Sequence, residues 1–264
     1  MFHILSNGGV VISTKERAPE NICRLIEKHK IELLPSSPTF LNLLMLSEAY
    51  EKFDLSTLSM ISYCTEPMLP ITLQKLKRVF PKVRLLQTYG LIELGVLKSK
   101  SKSDDSLWVK LGGDGYQLRV VDGLLEIKAE SAMLGYLNAE SPFTADGWFK
   151  TGDSVEVDGD YFKILGRKSE LINVGGEKVY PSEIESVIQE LENVAEVMVY
   201  GEKNPIMGRI IVAKVRLSKD EEKRSLTSRL KTHCRAKLES FKVPVKIIIE
   251  NEIQYGDRLK KTRA

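Results

Sequence analysis

The chain has 264 residues, of which 42% are hydrophobic and 28% charged, a balance that excludes a disordered or fibrous protein and predicts an ordinary globule. A formal net charge of +3, with no basic run interleaved by aromatics, gives no footing for nucleic-acid binding. The length exceeds that of a usual single domain and predicts one large unit plus a smaller one.

In chain order, MFHILSNGGVVI is apolar but lacks a basic leader and a small-residue cleavage site, and it predicts the end of a core helix and then a strand. Pro19 opens an amphipathic helix with Ile22, Leu25, Ile26 and His29 on one face. IELLP predicts a buried strand, TFLNLLMLSEAY a helix, MISYC a strand, ITLQKLKRVF a helix and VRLLQTY a strand. Strands alternating with helices argue for parallel α/β layering. KSKSKSDD, 98–105, predicts an exposed, mobile loop. From about Trp108 to Leu165 the pattern changes to short strands, with tight hairpins marked by Asp-Gly at 122–123 and 158–159. Beyond Arg167, Pro181 starts a helix with Ile184, Val187, Ile188 and Leu191 on its apolar face. The strands VAEVMVYGE and RIIVAKVRLS, a charged helix over about 219–238, and VPVKIIIENEI follow. No stretch approaches the length of a membrane span. Cys23, Cys64 and Cys234, odd in number and widely spaced, predict reduced thiols and a cytoplasmic protein, with neither a disulfide framework nor a zinc site.

The richest stretch is GWFKTGD at 147–153, with Arg167 fourteen positions after Asp153, at the head of GRKSELINVGGEKVYPSEIE, 166–185. The Asp153 carboxylate can accept two hydrogen bonds from a vicinal diol such as a ribose, or it can brace its own turn. Arg167 offers a planar cationic donor fork to the same sugar or its phosphate, or forms an ordinary salt bridge. Gly175 and Gly176 let backbone approach a ligand closely. No Ser-His-Asp or Cys-His pairing suggests a covalent nucleophile. His3, His29 and His233 have no metal spacing.

With SYCTEPM (62–68), QTYGLIELG (87–95), LLEIKAESAMLGYLN (124–138) and the terminal LKKTR in the same order, the chain resembles the adenylate-forming superfamily of acyl-CoA synthetases, luciferases and peptide-synthetase adenylation domains. The resemblance covers roughly the C-terminal half of a family member. It implies an α/β fold in which 1–167 form part of the large domain, with a β-rich subdomain at about 108–165, and 168–264 form a mobile α+β lid. Residues 1–60 contain no Gly-rich run followed by Lys, so the phosphate loop of the family is not among them. A truncation, or a partner or dimer that completes the cleft, would account for this.

The resemblance assigns roles residue by residue. Thr65 and Glu66 stand in the adenine-side loop, and Glu66 is equally open to a structural use. Tyr89, beside Gly90, stacks on adenine or packs in the core. Glu93 holds the Mg²⁺ that bridges ATP phosphates, since a hard cation prefers oxygen ligands, or is a surface carboxylate. Ile92 departs from the usual Thr and forgoes a hydrogen bond to the α-phosphate, about 1.5–3 kcal/mol when charge-assisted. Asn173 replaces the common Lys, as in acyl-CoA synthetase-like members. Ser169 takes the hinge position, and Gly175 and Gly176 lie in the loop that lines the pantetheine tunnel. Lys260, with Lys261 as competitor and a solvated tail as alternative, is the late catalytic lysine that offsets repulsion between carboxylate and α-phosphate. His3 is a further acyl-pocket candidate.

The implied activity is AMP-forming acid–thiol ligation with ATP, Mg²⁺ and CoA: a carboxylic acid becomes an acyl-adenylate and then a thioester, though the isolated chain is expected not to adenylate. A carrier-protein phosphopantetheine in place of CoA, or a non-catalytic interaction module on the same fold, are the rival expectations. The choice of carboxylic acid is not written in these residues.

Overall fold

The computed structural model describes residues 2–253 and 255. Lys260 and Lys261 lie outside the described residues, as do the other residues of LKKTR. After a short helix α1 (Phe2–Ser6), helix α2 (Pro19–His29) leads into a three-stranded parallel sheet of β1 (Leu33–Ser36), β2 (Met60–Tyr63) and β3 (Arg84–Gln87), in that order. Helices α3 (Pro38–Ser47) and α4 (Pro70–Val79) make the crossovers. Each of α2, α3 and α4 begins with proline, whose missing N–H is one that a first helical turn leaves unpaired in any case. Ser37 caps α3 by accepting from the Phe40 N–H. The register aligns Ser36, Tyr63 and Gln87 at the carboxyl ends of the strands, and the loops that follow all emerge at that edge. In open α/β sheets this edge forms the ligand crevice.

Three expectations change here. Residues 9–12 form no strand and Val10 is 81% exposed, since no neighbouring chain pairs with them among the described residues. The α2 face toward the core is carried by Cys23 and Ile26, whereas His29 at the last turn is exposed. The helix over TFLNLLMLSEAY stops at Ser47, because Glu48 turns left-handed at φ 51° before a single 3₁₀ turn, Ala49–Glu51.

A six-stranded antiparallel sheet follows, built of β6 (Lys98–Ser101), β7 (Val109–Gly112), β8 (Tyr116–Val121), β9 (Leu124–Ala129), β10 (Phe149–Asp158) and β11 (Tyr161–Arg167), in the order β6-β7-β11-β10-β9-β8. Before it, β4 (Gly90–Leu91) and β5 (Gly95–Val96) pair as a tiny hairpin. The expected loop at 98–105 therefore holds only for its second half: KSKS is edge strand β6, and 102–105 form bends and turns. The alternation has period two, and its serines point inward. Ser99 Oγ accepts from Tyr89 N at 3.3 Å and Ser101 Oγ from Gln87 N at 3.1 Å, which ties this sheet to the end of β3. Asp122 and Gly123 both take positive φ, 50° and 74°, the geometry of a two-residue hairpin turn between β8 and β9.

The last unit packs β12 (Ile172–Val174), β13 (Glu177–Val179), β14 (Val194–Asn204), β15 (Gly208–Leu217) and β16 (Lys246–Ile249) with helices α5 (Pro181–Ile188) and α6 (Lys223–Lys237). The strand order is β13-β12-β15-β14, with β16 parallel to β15. Its core, which includes Ile184, Val197, Leu226 and Leu230, is a cluster separate from those of the two preceding sheets. The described charged helix is shorter than 219–238, beginning only at Lys223. No helix among the described residues is long and apolar enough to cross a membrane.

Candidate functional site

Asp153 faces Arg167 across the β10–β11 ladder, and both sheet neighbours of β10 shift register beside it. The cause is local. Gly152 takes φ 73°, which a side chain would resist, and Thr151 folds over the irregularity. Its Oγ1 donates to Leu125 O at 2.7 Å and accepts from Asp153 N at 3.0 Å. The irregularity leaves Asp153 only 7% exposed, yet a neutral and a charged partner both reach it. Tyr89 Oη donates to Asp153 Oδ2 at 2.6 Å, and Arg167 Nε lies 3.4 Å from Oδ1. Burial first, then the Asp153 charge, pushes the Tyr89 phenol far up, so the hydroxyl remains a donor. The Tyr89 ring itself sits in the core cluster with Leu94 and Leu97.

Glu93 occupies the β4–β5 turn. Gly90 is required there because a Cβ would lie 2.9 Å from the Gly95 carbonyl oxygen and the Val96 Cα. Tyr136 Oη donates to Glu93 Oε1 at 2.6 Å, and this bond, ahead of other causes, holds the carboxyl below its ordinary range. The loop carrying Tyr136 is clipped to the turn by Met133 N to Glu93 O, 2.8 Å, and Ser131 Oγ to Leu94 O, 2.6 Å. The Arg167 charge acts on Glu93, Tyr136 and Tyr89 alike, so two carboxylates, two phenols and one guanidinium share a neighbourhood. Sequence reasoning did not single out Tyr136, although the GYLN motif contained it. The available signal was an aromatic donor directly after a glycine, inside a stretch that already carried the resemblance. Ile92, beside Glu93, is 93% exposed.

The loop expected to stand beside adenine follows β2. Thr65 holds φ 83°, a left-handed conformation that costs a β-branched residue about 1–3 kcal/mol and is typical of functional loops. Glu66 Oε1 accepts from Thr39 N at 2.9 Å and so pins the loop to the first turn of α3. Cys64 and Thr65 border a cavity of about 470 Å³ that Ser36, Ser37 and Phe40 also line. Cys64 is partly exposed, whereas burial pushes the Cys23 and Cys234 thiols up to about 11.

The remaining expected site residues lie on the far side of Arg167 in the chain. Ser169 is exposed in the 3₁₀ turn Lys168–Glu170, directly beyond β11. Gly175 and Gly176 turn the β12–β13 hairpin at φ 60° and 97°. The hydrogen bonds of that turn run to Met207 O and Asn173 Oδ1 within the last unit. Among the described residues no group of three or more His, Cys, Asp and Glu could hold a metal alone. The single carboxylate of Glu93 suits a Mg²⁺ that takes its remaining ligands from water and phosphate.

A family model described as AMP-binding enzyme matches residues 1–148, and one described as AMP-binding enzyme C-terminal domain matches 183–264. The chain is 33% identical over 198 residues to 2-succinylbenzoate–CoA ligase of Enterococcus faecalis, covering 67% of this chain and 40% of that one. It is 31% identical over 252 residues to acyl-CoA synthetase 7 of Caenorhabditis elegans, covering 89% and 46%. It thus spans less than half the length of these two relatives. ATP-bound MatB from Rhodopseudomonas palustris is similar in structure, with a TM-score of 0.74 at 26% identity over 91% of this chain and 50% of that one. The anthranilate CoA ligase AuaEII, in complex with anthranoyl-AMP, shares the fold with a TM-score of 0.82 at 22% identity, covering 96% and 52%.

Proposed function

The chain belongs to the AMP-binding enzymes, and on that footing we propose that it is the nucleotide-holding and lid portion of an AMP-forming acid–CoA ligase. One observation carries the reading: the buried Asp153, gripped by Tyr89 and Arg167, lies beside a Glu93 held ionised by Tyr136. In this reading Asp153 accepts from the two ribose hydroxyls of the adenylate, displacing or sharing its present partners. Arg167 donates to the ribose or its phosphate, and Tyr89 orients Asp153 from below with its hydroxyl. The strained Thr65–Glu66 loop presents backbone to the adenine.

Glu93 would hold Mg²⁺, which when bound neutralises charge on the ATP phosphates. A carboxylate oxygen attacks the α-phosphorus, pyrophosphate leaves, and the CoA thiol then displaces AMP to leave a thioester. Lys260 is assigned to the first step. The loop of Gly175 and Gly176 is assigned to guiding the pantetheine arm in the second, after the lid turns about Ser169.

These 264 residues contain no Gly-rich phosphate loop, and Ile92 supplies no hydroxyl to the α-phosphate. The expected outcome for the chain alone is therefore AMP binding without pyrophosphate release above background. Joining it behind the phosphate-loop half of the Enterococcus relative is expected to yield acyl-CoA, detected by mass spectrometry across a panel of carboxylic acids. Acylation of a carrier protein with no acyl-CoA formed would shift the acceptor to phosphopantetheine. Absence of both AMP binding and thioester would favour the interaction-module reading, which the exposed Ile92 supports.

A further inference from the structure

Side-chain hydrogen bonds join the last unit to the elements that precede it. Asn42, on α3, donates from Nδ2 to Ala195 O at 3.4 Å, and its Oδ1 accepts from Thr72 Oγ1, on α4, at 3.4 Å. The same Ala195 carbonyl, at the start of β14, accepts at 3.0 Å from Gln189 Nε2, which also donates to Val194 O at 3.0 Å. Thr72, Gln189 and Ala195 are each less than 5% exposed, so a side chain of the first unit reaches into the buried end of a strand in the last. A second bond, Ser182 Oγ to Leu165 O at 2.7 Å, fastens α5 to β11 just ahead of Ser169. Between the units lies a cavity of about 30 Å³, room for about one or two waters, lined in part by Glu66, Glu185 and Tyr255. The Tyr255 hydroxyl is buried there with no hydrogen-bond partner among the described residues.

Each of these hydrogen bonds can be exchanged for one to water when the units part. The Asn42 contact also meets the candidate nucleotide loop. Glu66 holds the Thr39 N–H, and Asn42 lies three positions further along α3 on the same helical face. One helical turn thus joins the adenine-side loop to the lid.

We propose that Asn42, braced by Thr72, is a positioning residue that latches the lid unit and couples its orientation to occupancy of the Thr65–Glu66 loop. The latch stands on geometry, whereas its coupling to nucleotide rests on the ligase reading above. A nucleotide seated on the loop shifts Glu66, Glu66 shifts the first turn of α3, and Asn42 moves relative to Ala195 O.

The test is limited trypsin digestion of the full chain at the exposed Arg167 and Lys168, with cleavage at Lys100 and Lys102 as internal reference. Asn42→Ala is expected to accelerate hinge cleavage roughly three- to tenfold while the reference sites and the circular dichroism stay at wild-type values. Thr72→Val is expected to act in the same direction, less strongly. Hinge cleavage at the wild-type rate in both variants, or equal acceleration at the reference sites, overturns the latch. With millimolar AMP as probe, a change in amide hydrogen exchange of β14 in the wild type that Asn42→Ala abolishes supports the coupling, a readout chosen because AMP would itself shield Arg167 from cleavage. An equal AMP effect in both proteins overturns it. If calorimetry detects no AMP binding, the nucleotide reading falls and the coupling with it, while the cleavage comparison without AMP still decides the latch.

Discussion

Asp153→Ala will destabilise the folded chain by about 1–3 kcal/mol and weaken AMP binding by roughly ten- to a hundredfold. The stability loss arises because Tyr89 is only 8% exposed and its hydroxyl donates to Asp153 at 2.6 Å. Alanine leaves that donor buried without an acceptor, at a cost of about 1–3 kcal/mol. The binding loss follows from removing the proposed acceptor of the ribose diol, whose charge-assisted hydrogen bonds are worth about 1.5–3 kcal/mol. Urea denaturation and calorimetric titration measure the two separately. Tyr89→Phe is the informative companion, since it deletes the donor with the acceptor in place. It should restore most of the stability in the double variant without restoring AMP affinity. A double variant as unstable as Asp153→Ala would show that the hydroxyl is not what Asp153 satisfies.

The second large effect is expected in the last unit. Leu230→Ala removes a fully buried side chain from the cluster that also contains Ile184, Val197 and Leu226, and a cavity of that origin costs about 2–5 kcal/mol. That cluster is built entirely from residues of the last unit, so its loss should stay local. The two tryptophans provide the contrast: Trp108 immediately precedes β7 and Trp148 immediately precedes β10, both outside the last unit. Far-ultraviolet circular dichroism should show an early transition in the variant, while tryptophan fluorescence keeps the wild-type midpoint. Coincident early transitions would mean that the units unfold as one.

Much of this fold was legible because local chemistry and global packing agree. Pro19, Pro38, Pro70 and Pro181 each stand at a helix start, and Asp122-Gly123 turns a hairpin as its two positive φ angles require. The failures have physical causes. KSKS looks like a charged loop because lysine dominates its composition, yet its serines take the inward positions of an edge strand and its lysines the outward ones. Lysine on an edge strand also discourages pairing with other chains. GGVVI has strand composition, but strand formation needs a ladder partner, which the described residues do not supply. His29 matched a helical period that stops mattering at the exposed last turn.

At the site, the spacing of Asp153 and Arg167 suggested a shared ligand, and the ladder does set them opposite each other. What spacing could not reveal was the third dimension. Tyr89 reaches Asp153 from 64 positions away and Tyr136 reaches Glu93 from 43, contacts that arise only once the segment around the β4–β5 hairpin packs on the six-stranded sheet and meets the loop after β9. Glu66 was open between ligand contact and structure, and its bond to Thr39 gives it a clear structural use.

The central claim is that Asp153 and Arg167 form a ribose-binding pair, and titration calorimetry with two ligands tests it most directly. AMP should bind the chain, and 2′,3′-dideoxy-AMP, which lacks both hydroxyls, should bind at least tenfold more weakly, with the difference vanishing in Asp153→Ala. Equal affinity of the wild-type chain for the two nucleotides, or no binding of either, would contradict the account.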